Sequence, residues 1–254
     1  GNAIYNPFVG NLIMDAFTTE IGSEVYLRLG GLMAMGGVTG GEVRGQVTAP
    51  QKRAPSFLGK VGFDRQVSED LRIRLTGSMY TTKHSANNTL YSGDRGGSRY
   101  FDVLENTTSS EATNAWSGEV QPGLSDKITA TVINPFVKFR GLELFGNLET
   151  AKGRKSTEVA DRTWNQLAGD VVYRFAPAEQ LFVGARYNTV NGKFAATDPK
   201  ETVNRYQASA GWFITPAILL KGEYVNQKYN NFLPTDIRNG GKFGGYVFEG
   251  VVAF

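Results

Sequence analysis

The chain has 254 residues, with 27 Lys and Arg set against 24 Asp and Glu, a single His and no Cys, and its formal charge is only +3. That length suits one large β-domain or two ordinary domains, and no block of one charge sign marks a nucleic-acid surface. The lack of cysteine removes disulfides, zinc-thiolate sites and thiol chemistry.

Hydrophobic residues make up 41% of the chain, alongside 31 Gly, 11 Tyr and 16 Phe, a mixture that suits extended chain punctuated by aromatic rings. No stretch approaches the roughly 18 uninterrupted apolar residues of a membrane-spanning helix. At the start, Gly1-Asn2-Ala3-Ile4-Tyr5-Asn6-Pro7 has neither a basic leader nor an apolar signal core. The expectation is that an export signal has been removed or that the chain begins partway through a longer protein. Ile4, Phe8, Leu12, Ile13 and Phe17 fall at roughly helical spacing, so residues 1–21 read as a separate segment: a plug, a short helix or an extra strand.

Strands are expected at Gly22 to Gly30 and Gly40 to Thr48. From Phe57 to Thr82 the alternation is clear. Phe57, Gly59, Val61 and Phe63 interleave with Leu58, Lys60, Gly62 and Asp64. After Ser68-Glu69-Asp70, Leu71, Ile73, Leu75 and Met79 interleave with Arg72, Arg74, Thr76 and Tyr80. A less regular hairpin occupies Ile128 to Glu149, turning at Arg140-Gly141. Leu167, Val171, Tyr173 and Phe175 then alternate with Gln166, Asp170 and Arg174. They turn at Ala176-Pro177-Ala178-Glu179 and return through Leu181, Val183 and Tyr187. Tyr206, Ala208 and Trp212 oppose Arg205 and Gln207, and the chain returns through Ile218, Leu220 and Tyr224 opposing Lys221 and Glu223. Lys242 to Phe254 closes the set, for eleven strands in all.

A closed single-chain barrel normally has an even count, so about 12 strands are expected, with Ala3 to Ile13 as the twelfth, or a larger barrel of roughly 14 to 18 strands. The expected unit is an all-β, antiparallel up-and-down transmembrane barrel over residues 22–254. Short turns alternate with long segments at 83–127, 152–163, 192–203 and 230–241, the asymmetry of a barrel with tight periplasmic turns and long outer loops. Segment 83–127 is too long for a plain connector. It either folds inward and narrows a pore or extends outward as a binding surface.

Charge carries the second half of the reading. The polar faces hold Lys60, Arg72, Arg74, Asp170, Arg174, Arg186, Arg205, Lys221 and Glu223, which a dry core would not tolerate. A water-filled lumen accommodates them, and opposite signs can pair across adjacent strands. The apolar face then meets lipid, because in hydrocarbon only helices and closed barrels satisfy their backbone groups.

The final segment, Tyr246-Val247-Phe248-Glu249-Gly250-Val251-Val252-Ala253-Phe254, resembles the terminal strand of bacterial outer-membrane β-barrel proteins of porin type, with Tyr246, Phe248, Val252 and Phe254 on one face. The resemblance covers about 22 to 254 and extends to porins of the phosphate-selective or general type. It implies a bacterial outer membrane, contact with lipid and lipopolysaccharide, recognition of the terminal strand by the barrel-assembly machinery, and a homo-oligomer or larger complex.

Catalysis has little support. His84 beside Ser85, with Asn87 to orient the ring, is the one hydrolase-like grouping, and a solvated loop histidine is the plainer account. Gly153-Arg154-Lys155-Ser156-Thr157 lacks the spacing of a phosphate loop, and Asp94-Arg95-Gly96-Gly97-Ser98-Arg99 reads as a turn. No enzyme, metal or cofactor is expected. The expected function is passive diffusion of small hydrophilic solutes with a mild preference for anions. The alternative is a non-conducting structural or partner-binding barrel with a filled lumen.

Overall fold

A computed structural model describes residues 8, 12–15, 17–42, 52–95 and 100–253. Among them are eleven strands: β1 (Glu20–Leu29), β2 (Leu32–Glu42), β3 (Ser56–Gln66), β4 (Leu71–Thr82), β5 (Lys127–Phe139), β6 (Leu142–Arg154), β7 (Arg162–Phe175), β8 (Leu181–Gly192), β9 (Glu201–Thr215), β10 (Ile218–Asn230) and β11 (Lys242–Val252). One short helix, α1 (Glu111–Asn114), lies in the long segment between β4 and β5. All eleven strands form one sheet in sequence order, each antiparallel to its neighbours. Strands of 10 to 15 residues are long enough to cross a bilayer when tilted. No helix among the described residues is long and apolar enough to do so.

Side-chain alternation sorts the sheet into two faces. Along β7, Arg162, Trp164, Gln166, Ala168, Asp170 and Val172 are buried, while Leu167, Val171 and Tyr173 between them are exposed. The exposed face elsewhere carries Leu75, Ile133, Leu144, Val183, Tyr206, Leu220 and Phe248. This reverses the arrangement of a soluble protein, with large apolar side chains outside and charge inside. In-register pairs build the outer surface, including Tyr187 beside Tyr206 and Tyr224 beside Tyr246, whose ring centroids are 4.9 and 5.3 Å apart.

Two expectations are corrected. The second strand is β2, at Leu32–Glu42, rather than Gly40 to Thr48, of which residues 43–48 lie outside the described residues. The chain reverses over Gly30 and Gly31, both in the left-handed region (φ +56° and +90°), so Leu29 pairs directly with Leu32. A two-residue glycine turn of this kind matches the twist of a hairpin. Its return strand was obscured because Gly36, Gly37, Gly40 and Gly41 dilute the apolar pattern.

The strand count is the second correction: eleven, not about 12. Of the segment expected to supply a twelfth strand, only Phe8, Leu12 and Ile13 are described, and none of them is in a strand. β1 and β11 are the two edges of the sheet and are not paired with each other. An odd number of up-and-down strands makes these edges run in the same direction, so they do not meet in the antiparallel ladder used elsewhere.

The sheet nevertheless curls around an interior. Arg74 on β4 shares a cavity with Thr215 and Pro216 at the β9–β10 turn. The long connections, at 83–126, 155–161, 193–200 and 231–241, lie at one rim and the tight turns at the other.

Candidate functional site

The candidate site is the interior, which divides into a packed half beneath the long loops and an open charged half beside the tight turns. The packed half is built by the segment between β4 and β5, which folds inward. Leu12, Ile13, Tyr91, Leu104, Val120 and Leu124 form one buried cluster with Ile128 and Ala130 of β5, Ala151 of β6, Trp164 of β7, Val190 of β8, Val203 of β9 and Tyr229 of β10. Apolar residues here point inward from the strands because they meet an apolar plug rather than water.

The plug is held together by its own backbone bonds. Asp15 N–H donates to Leu90 O at 2.9 Å, Gly93 N–H to Ile13 O at 3.2 Å, and Asn88 N–H to Ser125 O at 2.9 Å. Gly93 has φ +86°, and a Cβ there would come within 2.7 Å of Glu119 and 3.0 Å of the Val120 carbonyl, so only glycine fits. The Arg95 guanidinium reaches the buried Asp15 carboxylate at 2.6 Å, joining the N-terminal segment to the loop.

Buried polar anchors fasten the plug to the wall. Tyr91 donates to Glu149 of β6 at 2.7 Å, and that carboxylate also accepts from Gln166 of β7 at 2.9 Å. Arg162 donates to the carbonyls of Pro122 and Lys193, both at 2.9 Å. Gln227 and Tyr229 of β10 both donate to Gly118 O. Asn88 donates to Tyr80 of β4 at 2.6 Å, and Tyr80 donates to Glu20 of β1. Such contacts satisfy groups that would otherwise be orphaned without water.

Below the plug the inward charges are mostly neutralised by the adjacent strand. Arg72 grips Asp64 with a fork of 2.8 and 2.6 Å, and Arg186 grips Asp170 with one of 2.7 and 2.6 Å. Arg174 donates to Glu143 at 2.9 Å, Lys138 to Glu179 at 2.5 Å, and Lys221 lies 2.7 Å from Glu249. Phe8 seals part of this layer, with Arg186 stacked 4.5 Å over its ring.

The expected pore-lining residues therefore fall into three groups. Lys60 and Arg74 face a cavity of about 700 Å³ at the tight-turn rim, with Arg28, Asp64, Thr76 and Asn134. Arg72, Arg174, Arg186 and Asp170 face inward in ion pairs. Arg205, Lys221 and Glu223 point inward too, but at 1%, 5% and 3% exposure they pack beneath the plug and do not line open water in this structure. Arg205 donates to Gln227 at 2.6 Å and lies over the Tyr100 ring, and Glu223 accepts from Gln207.

Register explains why Arg74 differs from Arg72. Asp64 lies directly opposite Arg74, but the diagonal neighbour Arg72 takes both carboxylate oxygens. Arg74 is left stacked 4.7 Å over Phe136. Among the described residues Arg28, Lys60 and Arg74 make no ion pair, and all three line the same cavity. Sequence reasoning overlooked Arg28 and Lys138, although Glu24, Tyr26 and Arg28 follow the same period-two rule.

Tyr246, Phe248 and Val252 share the outward face of β11, at 75%, 82% and 65% exposure, while Phe254 lies outside the described residues. His84 Nδ1 is 3.3 Å from the Asp126 carboxylate rather than held by Asn87. Ser85 meets that carboxylate through its backbone N–H, and no hydrogen bond joins its hydroxyl to His84 among those described. The pair thus lacks the nucleophile-to-base link of a hydrolase. No group of three or more metal-ligating side chains occurs among the described residues. Gly153 and Arg154 end β6, and residues 96–99 lie outside the described residues.

No protein-family model matches the chain, and no curated protein does. Among solved structures it is similar to OmpT, an outer-membrane protein of Vibrio cholerae, at 11% identity and a TM-score of 0.47, with 89% of this chain and 64% of that chain covered. A loop L8 deletion mutant of OmpT matches at 10% identity and a TM-score of 0.47, covering 89% and 62%. The NanC porin matches at 9% identity and a TM-score of 0.44, covering 96% of this chain and 98% of that one. The chain thus spans less than two thirds of the OmpT chains.

Proposed function

We propose that this chain forms the wall of a bacterial outer-membrane channel through which small hydrophilic solutes diffuse, narrowed from within by segment 83–126 and mildly selective for anions. The observation that carries the reading is the inverted face pattern, apolar outside and charged inside, along strands of membrane-spanning length. Anion preference is supported by the charge balance near the tight-turn rim. Arg72, Arg174 and Arg186 are cancelled by Asp64, Glu143 and Asp170, which leaves Arg28, Lys60 and Arg74 as the local positive field. The tight-turn rim faces the periplasm and the long loops face outward, as in barrels of this class.

A second reading is favoured by one observation, the packed core beneath the long loops. A barrel closed in this way is a non-conducting structural or partner-binding element of a larger assembly.

Planar-bilayer conductance of the detergent-purified protein across a salt gradient tests both. Stepwise conductance with an anion-selective reversal potential is expected, moving toward zero in the Lys60→Ala/Arg74→Ala double variant. Strong cation preference in the unaltered protein would refute the charge assignment. Stable insertion without conductance would favour the closed barrel.

A further inference from the structure

Three of the outer loops meet in a cleft of about 780 Å³ at the long-loop rim, within the roughly 300 to 1,000 Å³ range of small-molecule sites. Its walls come from α1 and the residues that follow it, from Phe194 after β8, and from residues 235–238 before β11. None of these residues takes part in the ion-paired lumen, and the tight-turn vestibule lies at the opposite rim.

The chemistry of the cleft is mixed in a specific way. Trp116 lines it at 39% exposure and is held edge-on by Phe101, with centroids 5.5 Å apart at 76°. Around it are an exposed carboxylate, Glu111, the amide of Asn114 and the hydroxyl of Thr235. The Asn114 carbonyl oxygen accepts from Ser110 N–H and the Thr113 hydroxyl, which orients the amide and leaves its N–H₂ uncommitted among the described residues. Glu111 and Thr235 make no side-chain hydrogen bond among the described residues. The one arginine, Arg238, is spent on Asp236 by a fork of 2.9 and 2.7 Å and stacks 4.5 Å over Phe194.

Among the described residues that line the cleft an anion finds no uncommitted cation, and the exposed Glu111 repels it. A purely apolar ligand would desolvate Glu111 and the Asn114 amide without replacing their hydrogen bonds to water. A ligand that offers a non-polar ring face together with hydroxyls that both donate and accept fits every group present: the face lies on Trp116, and the hydroxyls meet carboxylate, amide and hydroxyl. From this geometry we infer that the cleft is a binding site for a neutral oligosaccharide at the outer mouth of the barrel. The inference needs only the loop rim and stands apart from conduction through the lumen.

The test is isothermal titration of the folded, detergent-solubilised full chain with three neutral hexasaccharides: maltohexaose, cellohexaose and chitohexaose. The anionic trisaccharide sialyllactose serves as the charged comparator. Saturable binding of at least one neutral sugar is expected, with sialyllactose weaker. Trp116→Ala is expected to weaken binding by roughly tenfold or more, and Trp116→Phe to restore much of the loss. Heat-modifiable migration on a gel establishes that each variant is folded, and Asn114→Ala provides a second probe that leaves the aromatic packing intact. Absence of saturable binding to all three sugars would overturn the proposal. So would wild-type affinity in folded Trp116→Ala, or binding of sialyllactose as tight as that of the neutral sugars.

Discussion

Single residues decide how the charges of this protein behave. Asp161, in the rim loop between β6 and β7, accepts from Lys127 at 2.7 Å and Arg154 at 2.8 Å. The Lys127 hydrogen bond holds its carboxyl below the ordinary value near 3.8, against a weaker opposing effect of burial. A carboxylate whose folded pKa is depressed contributes stability above its unfolded pKa and loses it as the pH falls through the folded one. Protection factors of the amides in residues 155–162, which remove the intrinsic pH dependence of exchange, are therefore expected to hold steady from neutrality to about pH 5 and to fall below about pH 4 as Asp161 takes up a proton. Asp161→Asn should accelerate exchange at neutral pH and flatten that acid response. An acid response of equal size in the variant would assign it to another carboxylate. The spacing of Lys127, Arg154 and Asp161 in sequence does not disclose this cluster, because they meet only once β5 and β6 are in register and the loop has turned back.

At the scale of the strand, one side chain placed on the wrong face is costly. Val171 projects from the outer face of β7, half exposed, between inward-facing Asp170 and Val172. Val171→Arg is expected to lower folding stability in bilayers by up to about 2 to 4 kcal/mol, the cost of a cation at midplane depth, measured by denaturant titration in liposomes. Arginine at Gln166, on the buried face of the same strand, meets the Glu149 carboxylate instead, so the two variants separate lipid exposure from general intolerance of change. A negligible effect at Val171 would place this face outside the hydrocarbon.

Much at this scale was legible in the sequence. Alternation at 57–82, 166–188 and 205–227 identified the strands and their faces, since the two-residue period is a local property of the chain. β2 was not legible, because Gly36 and Gly40 interrupt its apolar face, Gly37 and Gly41 its other face, and the Gly30-Gly31 turn leaves no polar loop to mark the reversal.

For the whole molecule the decisive feature is the infolded segment. Asn88 and Ser125 are joined by a backbone hydrogen bond of 2.9 Å, so the intervening residues can be excised with a short Gly-Ser link and little strain on β4 or β5. Removing 89–124 is expected to raise the unit conductance while preserving the direction of ion preference, because Arg28, Lys60 and Arg74 stay in place at the other rim. Unchanged conductance would show that this segment does not set the narrowest part of the path. The sequence left two fates open for this segment, inward or outward. Inward folding depends on small gains spread over strands β5 to β10, such as Trp164, Val190 and Val203 at positions that would otherwise carry polar lumen residues.

Taken alone, the sequence determined every strand but β2, the inverted faces, the sorting of tight and long connections, and the presence of charge in the interior. Each of these is written in short-range periodicity or in the composition of a single turn. Only the tertiary structure decided which charges remain unpaired, where the interior is packed, and how the loops combine at the rim. Those depend on register between strands and on contacts between residues far apart in the chain. Arg72 and Arg74 look alike in sequence, yet the first is bound by Asp64 and the second is left facing the cavity.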